Sequence, residues 1–257
     1  MSALRFLTSR VIKFSGNIFK TLYYVIHPLC PNKRYTIPAR NAPRRAAPDD
    51  GIVRIIWQTN FTNRVTLPVY ANYLCNRLMA PTYEFRFLIT DDRTEMMRTE
   101  YPPEYLEAYS RLTIGAAQAD IWRVLTVHKF GGVYIDIDGN LMWPLDRIRR
   151  PGHEELYVED RDQMVSNFFF AAQPGSAVLK EIAERILANI RSPKRNKVFS
   201  ITGPNNFREV LKNRPHERVL GRITCDQGNF SNRYYQYIDK NEGKWHELEK
   251  EQKVVRD

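Results

Sequence analysis

The stretch GAAQADIWRVLTVHKFGGVYIDIDGN, residues 115–140, constrains the fold of this chain more than any other. Residues 115–130 read as a helix, and Gly131 and Gly132 supply its stop. Residues 133–138 follow as a strand, rich in β-branched and aromatic side chains. Alternation puts Val133, Ile135 and Ile137 on one face and Tyr134, Asp136 and Asp138 on the other. The two carboxylates then stand about 7 Å apart along the strand. Unpaired carboxylates this close repel one another and resist desolvation. A divalent cation that prefers oxygen ligands, Mn²⁺ or Mg²⁺, relieves both costs. The plain alternative is a solvated strand end with two unrelated aspartates. Within the helix, Asp120 and Arg123 are three residues apart and share a face. They read either as a surface ion pair or as part of the same site.

Around this unit, strands and helices alternate. Residues 51–60 form a buried strand, 68–79 a helix, and 83–92 a strand that ends in Asp91 and Asp92. Residues 104–112 read as a helix, 166–173 as a strand, 176–190 as an amphipathic helix, and 200–213 as a turn feeding a helix. This order implies an α/β chain with a mostly parallel central sheet flanked by helices. Ligands of such sheets lie beyond the carboxyl ends of the strands, where both aspartate pairs fall. At 257 residues and 43% hydrophobic, the chain can bury a substantial core and is not of disordered composition. Three scattered cysteines with no Cys-x-x-Cys pair suggest neither a zinc site nor a disulfide framework.

The net charge of +10 belongs to an N-terminal arm. Nine Lys or Arg and no Asp or Glu precede residue 49, and the rest holds 30 basic and 29 acidic residues. A body this close to neutral argues against nucleic acid as a partner. Leu4, Leu7, Val11, Phe14, Ile18, Leu22 and Val25 recur at helical spacing, which predicts a basic amphipathic helix over residues 1–30. Arg5, Arg10, Lys13 and Lys20 interrupt it too often for a membrane span of about 20 apolar residues. The reading is an anchor on an anionic membrane surface. A helix packed on the body and a mitochondrial presequence are the alternatives. Residues 31–50 read as a proline-rich linker, and 51–257 as the folded domain.

The order of motifs resembles the DXD-containing sugar transferases of glycosyltransferase family 32. The matching stretches are IIWQTN (55–60), FLITDD (87–92), QADIWRVLTVHKFGGVYIDIDG (118–139), ITGPN (201–205) and YIDKNEGKW (237–245). The resemblance implies a GT-A-like nucleotide-diphosphosugar transferase fold and a retaining hexosyltransferase. Such an enzyme takes a nucleotide-sugar donor, UDP-sugar favoured, and a glycan or lipid-linked saccharide acceptor. It is expected in surface polysaccharide synthesis, of capsule or lipopolysaccharide type, cytoplasmic and peripheral at the inner face of the membrane. By the same resemblance, Asp138 touches the metal and Asp136 serves the ribose and the metal shell. Asp120 and Arg123 hold the sugar hydroxyls. Trp57 stacks on the base, with Gln58, Thr59 and Tyr134 beside the donor. In the last stretch Gly243 and Trp245 match, while Asp239 and Lys244 replace the usual His and Ser. Asp239 then becomes the expected third metal ligand, and Lys244 a diphosphate contact.

VYIDIDGNL also resembles the first motif of haloacid-dehalogenase phosphohydrolases, in which Asp136 would be nucleophile and Asp138 acid/base. Against this, Asn140 stands where Thr is usual, and a full strand–helix set precedes the motif. A catalytically silent sugar-binding descendant is the third reading.

Overall fold

The computed structural model describes residues 3–160, 162, 164–212, 214, 217–240 and 244–256. Helix α1 (Ala3–Ile26) is followed by a 3-10 turn and two short strands, β1 (Tyr35–Thr36) and β2 (Arg40–Asn41). The central region then runs β3 (Ile55–Thr59), β4 (Arg64–Val65), α2 (Leu67–Met79), β5 (Glu84–Leu88), α3 (Thr90–Glu100), α4 (Pro103–Arg111), α5 (Gly115–Phe130) and β6 (Gly132–Ile135). Next come β7 (Gly139–Leu141), α6 (Leu145–Ile148), β8 (Glu155–Glu159), β9 (Val165–Ala172), α7 (Ala177–Arg191), α8 (Val198–Ile201) and α9 (Asn205–Leu211). The chain finishes with β10 (Glu217–Leu220), α10 (Gly221–Thr224), β11 (Cys225–Gln227), α11 (Arg233–Tyr237) and α12 (Trp245–Glu251).

A seven-stranded sheet in the order β10-β8-β9-β6-β3-β5-β2 forms the centre. Strands β10, β8, β6, β3 and β5 point one way, and β9 and β2 the other. This is the expected mostly parallel sheet, GT-A-like in its arrangement. Its two faces carry separate cores. On one, Trp57, Trp122, Tyr134 and Phe170 pack with α5 and α7. On the other, Ile56, Tyr73, Phe85, Val133, Ile135 and Phe169 pack with α2. The period-two assignment of β6 thus holds through Ile135. Each fully buried aromatic contributes about 2–3 kcal/mol.

Gly131 and Gly132 are more than a helix stop. Both take positive φ, and a Cβ on Gly132 would lie 2.5 Å from the Ile55 carbonyl oxygen. That close approach brings β6 flush against β3 and lets the Trp57 indole donate to the Gly131 carbonyl at 2.9 Å.

Residues 31–50 depart from the linker expectation. β2 forms an edge of the main sheet against β5, β1 pairs with β4, and Ile37 is fully buried. Arg77 of α2 donates to the Asn41 and Ala42 carbonyls, which fastens this segment to the body. Strand 83–92 is also shorter than expected. The chain turns after Leu88, and Asp92 caps α3 by accepting from the Ile89 amide at 3.1 Å.

Helix α1 docks through a narrow face of Ser9, Gly16 and Tyr23, all buried. A Cβ on Gly16 would meet the Asn229 carbonyl at 2.7 Å, so glycine sets the approach. Lys13 pairs with Asp226, and Lys20 donates to the Gly228 carbonyl at 2.6 Å. Phe19 packs on Phe230, and Tyr23 meets Tyr235 edge-on. The apolar stripe Leu4, Leu7, Val11, Phe14, Ile18, Leu22 and Val25 stays exposed on the outer side, Phe14 at 68%. Among the described residues, no helix is long and apolar enough to cross a membrane.

Candidate active site

A cavity of about 730 Å³ opens beyond the carboxyl ends of β3, β5 and β6. Its walls include Thr59, Arg93, Asp120, Arg123, Tyr134, Asp136, Asn167, Gln227, Asp239 and Trp245.

The Asp-x-Asp pair lies in a turn past the strand, since β6 stops at Ile135. The Gly139 amide donates to the Asp136 carbonyl at 2.8 Å and closes that turn. Two buried asparagines of α2 hold it from below. Asn72 Nδ2 donates to the Ile137 and Gly139 carbonyls, and Asn76 Nδ2 also donates to Gly139. Asn76 Oδ1 accepts from the Leu141 amide. Strand β11 pairs with β7 and brings Gln227 opposite Gly139. The Gln227 amide then reaches both carboxylates, Asp138 Oδ1 at 3.0 Å and Asp136 Oδ2 at 3.4 Å.

Arg123 organises the other half. Nη2 lies 3.1 Å from Asp120 Oδ1, and Nη1 lies 3.1 Å from Asp136 Oδ1. Its guanidinium also sits 4.3 Å from the Tyr134 ring centroid. Tyr134 donates its hydroxyl to Asp136 Oδ1 at 2.6 Å. Asp120 accepts from Asn167 Nδ2 at 2.9 Å and from the Thr202 hydroxyl at 3.0 Å. Asp120 and Arg123 are therefore a buried pair, not a surface one. Burial pushes the Asp120 carboxyl up to about 6 against the pull of Arg123. Burial, then Asp136, pushes Asp138 up to about 6, with Gln227 opposing. Burial would lower the Arg123 guanidinium, but Asp136, Tyr134 and Asp120 outweigh it and hold it charged.

Asp120, Arg123, Tyr134, Asp136, Thr59, Asp239 and Trp245 all line the cavity. Asp138 borders it behind Gln227. Four expectations meet a different geometry. Trp57 is 2% exposed in the core and does not line the cavity, because its place in β3 turns it into the α5–α7 core. Gln58 is buried toward β6, its Nε2 3.5 Å from the Ile135 carbonyl. Asp239 is gripped by Arg34 of the N-terminal arm. Among the described residues, no third carboxylate, imidazole or thiol joins Asp136 and Asp138. Lys244 faces Glu247 at 3.8 Å and stands outside the cavity wall. Gly243 lies outside the described residues.

The residues not anticipated from the sequence are Gln227, Asn72, Asn76, Asn167 and Arg93. Thr202 sits in the ITGPN stretch and was within reach. The asparagines carry no spacing signal, since isolated amides gain their meaning only from tertiary contacts.

The donor set fits a divalent cation. Two oxygen-bearing side chains share one turn, their bridging partner is a neutral amide, and burial together with the neighbouring Asp136 raises Asp138. Asp136 and Asp138 are the residues that would hold it.

The fold is GT-A-like, the architecture found in glycosyltransferases. More particularly, residues 55–154 match the family model described as "Glycosyltransferase sugar-binding region containing DXD motif". No curated protein matches the chain by sequence. PaToxG Glycosyltransferase shares the fold with a TM-score of 0.52 and 13% identity, over 80% of this chain and 78% of its own. A glycosyltransferase involved in the glycosylation of the major capsid of PBCV-1 aligns over 77% of this chain and 98% of its own, at 10% identity. The TM-score of that alignment is 0.39. The family match favours sugar transfer over the phosphohydrolase reading.

Proposed function

We propose that the protein is a metal-dependent, retaining glycosyltransferase that moves a hexose from a nucleotide-diphosphate sugar, UDP-sugar favoured, to a glycan or lipid-linked saccharide. The observation that carries this reading is the buried Arg123, bonded at once to Asp120 and to the DXD carboxylate Asp136. It couples a sugar-binding pair rigidly to a pair fit for a diphosphate-bound Mn²⁺ or Mg²⁺. When bound, the cation neutralises charge developing on the departing nucleoside diphosphate. Asp120 offers carboxylate oxygens, and Arg123 guanidinium N–H groups, to sugar hydroxyls, which fixes the anomeric carbon. Asn167 and Thr202 hold Asp120 in place, and Tyr134 holds Asp136. The carboxylates of the cavity wall are engaged: Asp120 by Arg123, Asp136 by Arg123 and Tyr134, Asp239 by Arg34. This supports front-face attack by the acceptor hydroxyl over a double displacement.

The exposed apolar stripe of α1 supports a peripheral position on an anionic membrane surface, at the inner face of the cytoplasmic membrane and close to a surface-polysaccharide acceptor. Lys13 and Lys20 are engaged by the body, so the apolar stripe supplies most of this attachment.

The test is hydrolysis of a nucleotide-sugar panel with and without Mn²⁺, comparing wild type with Asp138→Ala. Metal-dependent release of nucleoside diphosphate by the wild type, lost in the variant, supports the reading. A folded wild type that binds sugar nucleotides without turnover points to the silent sugar-binding descendant.

A further inference from the structure

Among the described residues, Arg93 is the buried cation of this cavity with no carboxylate partner. It rises from the first turns of α3 and reaches across to the end of β3. Nη1 donates to the Thr59 hydroxyl at 2.7 Å and Nη2 to the Thr90 hydroxyl at 3.2 Å. The side chain is 3% exposed, lines the cavity, and has its Nε buried without a partner. The Thr59 hydroxyl donates onward to the Leu88 carbonyl at 2.6 Å, so it offers Arg93 a lone pair but no charge. Across the cavity, Arg123 has two carboxylates. The nearest acids in sequence, Asp91 and Asp92, are exposed, and Asp92 serves the α3 cap. A guanidinium offers five N–H donors in a planar fork, and a buried one left short of acceptors is costly. Such a cost is tolerated where a ligand supplies the missing acceptors.

Position says which part of a ligand. β3 lies beside β6 in the sheet, so Thr59 and Arg93 stand about one strand spacing, ~5 Å, or more to the side of Asp136. Phe61, two residues past Thr59, lines the same cavity and offers an aromatic surface. We propose that Arg93 and Phe61 form a nucleobase subsite, in which the Arg93 fork donates to the carbonyl oxygens of uracil or guanine and Phe61 lies along the base. The proposal rests on the nucleotide-sugar reading above. It places the base-recognising group on α3, one residue past the FLITDD stretch.

Calorimetric titration of UDP, GDP, ADP, uridine and pyrophosphate, in the presence of Mn²⁺, into wild type and Arg93→Gln is the test. The expected result is a loss of about ten- to a hundredfold in UDP or GDP affinity. Uridine should weaken in parallel, pyrophosphate should be unchanged, and ADP should bind the wild type poorly. Equal weakening of UDP and pyrophosphate overturns the base assignment in favour of a phosphate contact. Unchanged UDP affinity overturns it outright. A wild type that binds none of the nucleotides overturns the donor reading as well, which separates the two failures. Because Arg93 lacks a counter-charge, Arg93→Gln should melt at the wild-type temperature or above without ligand. A lower melting temperature with intact nucleotide affinity would mark Arg93 as structural and refute the subsite. Arg93→Lys, which keeps the charge but loses the fork, should recover only part of the affinity.

Discussion

Arg123 stands between two carboxylates that would otherwise repel, and this makes the residues of the site unequal as targets. Arg123→Ala would leave Asp120 and Asp136 short of their counter-charge. A loss of about 3–5 kcal/mol in folding stability is expected, read by chemical denaturation. Asp120→Asn is the cleaner probe of the sugar role, because the amide keeps the shape: its oxygen can still accept from Asn167 and Arg123 while its NH2 donates to the Thr202 hydroxyl. It should reduce transfer more than tenfold while UDP affinity changes little. Joint collapse of both would make the pair structural. Asp138→Ala should abolish metal-dependent turnover and leave metal-free stability at neutral pH equal or higher, by up to about 2 kcal/mol. Asp120 and Asp138 both sit near 6 in the folded protein, above the carboxyl value of 3.8. Their contribution to stability is therefore complete below about pH 4 and is lost as the pH climbs through 6. Mn²⁺ favours the charged form of Asp138 and should offset that loss. Melting temperatures with and without Mn²⁺ should differ more at pH 7 than at pH 5; an equal increment at both values would refute the assignment of Asp138 as a ligand. At this scale spacing singled out Asp136 and Asp138, because two carboxylates on one strand face after a Gly-Gly stop leave a pattern, whereas Asp120 and Arg123 read on spacing alone as an ion pair and gained a candidate role only from the family resemblance. Gln227 left no pattern: its role exists only because β11 registers it against Gly139.

Helix α1 combines two faces with separate duties. Its small-residue face packs against the segment from Asp226 to Tyr235, and its apolar face points outward. Replacing Leu7, Phe14 and Leu22 by Glu removes large exposed side chains from the stripe without touching the docked face. This variant should lose sedimentation with anionic vesicles and keep donor hydrolysis. Equal sedimentation of variant and wild type would refute the membrane reading. Deleting residues 1–30 is a different experiment. It uncovers Asp226 and Gly228, which flank the residue touching both DXD carboxylates, so it should also weaken turnover. The periodicity of the helix was legible because seven apolar residues repeat at one spacing. Its docking was not, because Ser9, Gly16 and Tyr23 share no chemical class. The proline-rich stretch at 31–50 misled for a related reason. Two-residue strands such as β1 and β2 are too short to show alternation and owe their existence to partners far along the chain.

The whole molecule has its site closed by both ends of the chain. The N-terminal arm gives Arg34 to Asp239, and residues after 224 give Gln227, Tyr237 and Trp245 to the cavity wall. All strands of the main sheet precede residue 225. A chain ending at 224 should therefore keep the α/β circular-dichroism signature while losing Mn²⁺-dependent hydrolysis; retained hydrolysis would show that the late segment is dispensable. The sheet and its central unit were readable because they rest on local runs of hydrophobic residues. This closure was not, since it depends on contacts of very long sequence separation. Lys20 meets the Gly228 carbonyl across 208 positions. On a ribosome, that separation becomes time. Helix α1 emerges well before the segment it docks on and waits for the 208 positions between them to be made. In that interval its apolar stripe is available to a bilayer, so the protein is expected to be seated on its surface before its cavity is finished, and to acquire activity only in place.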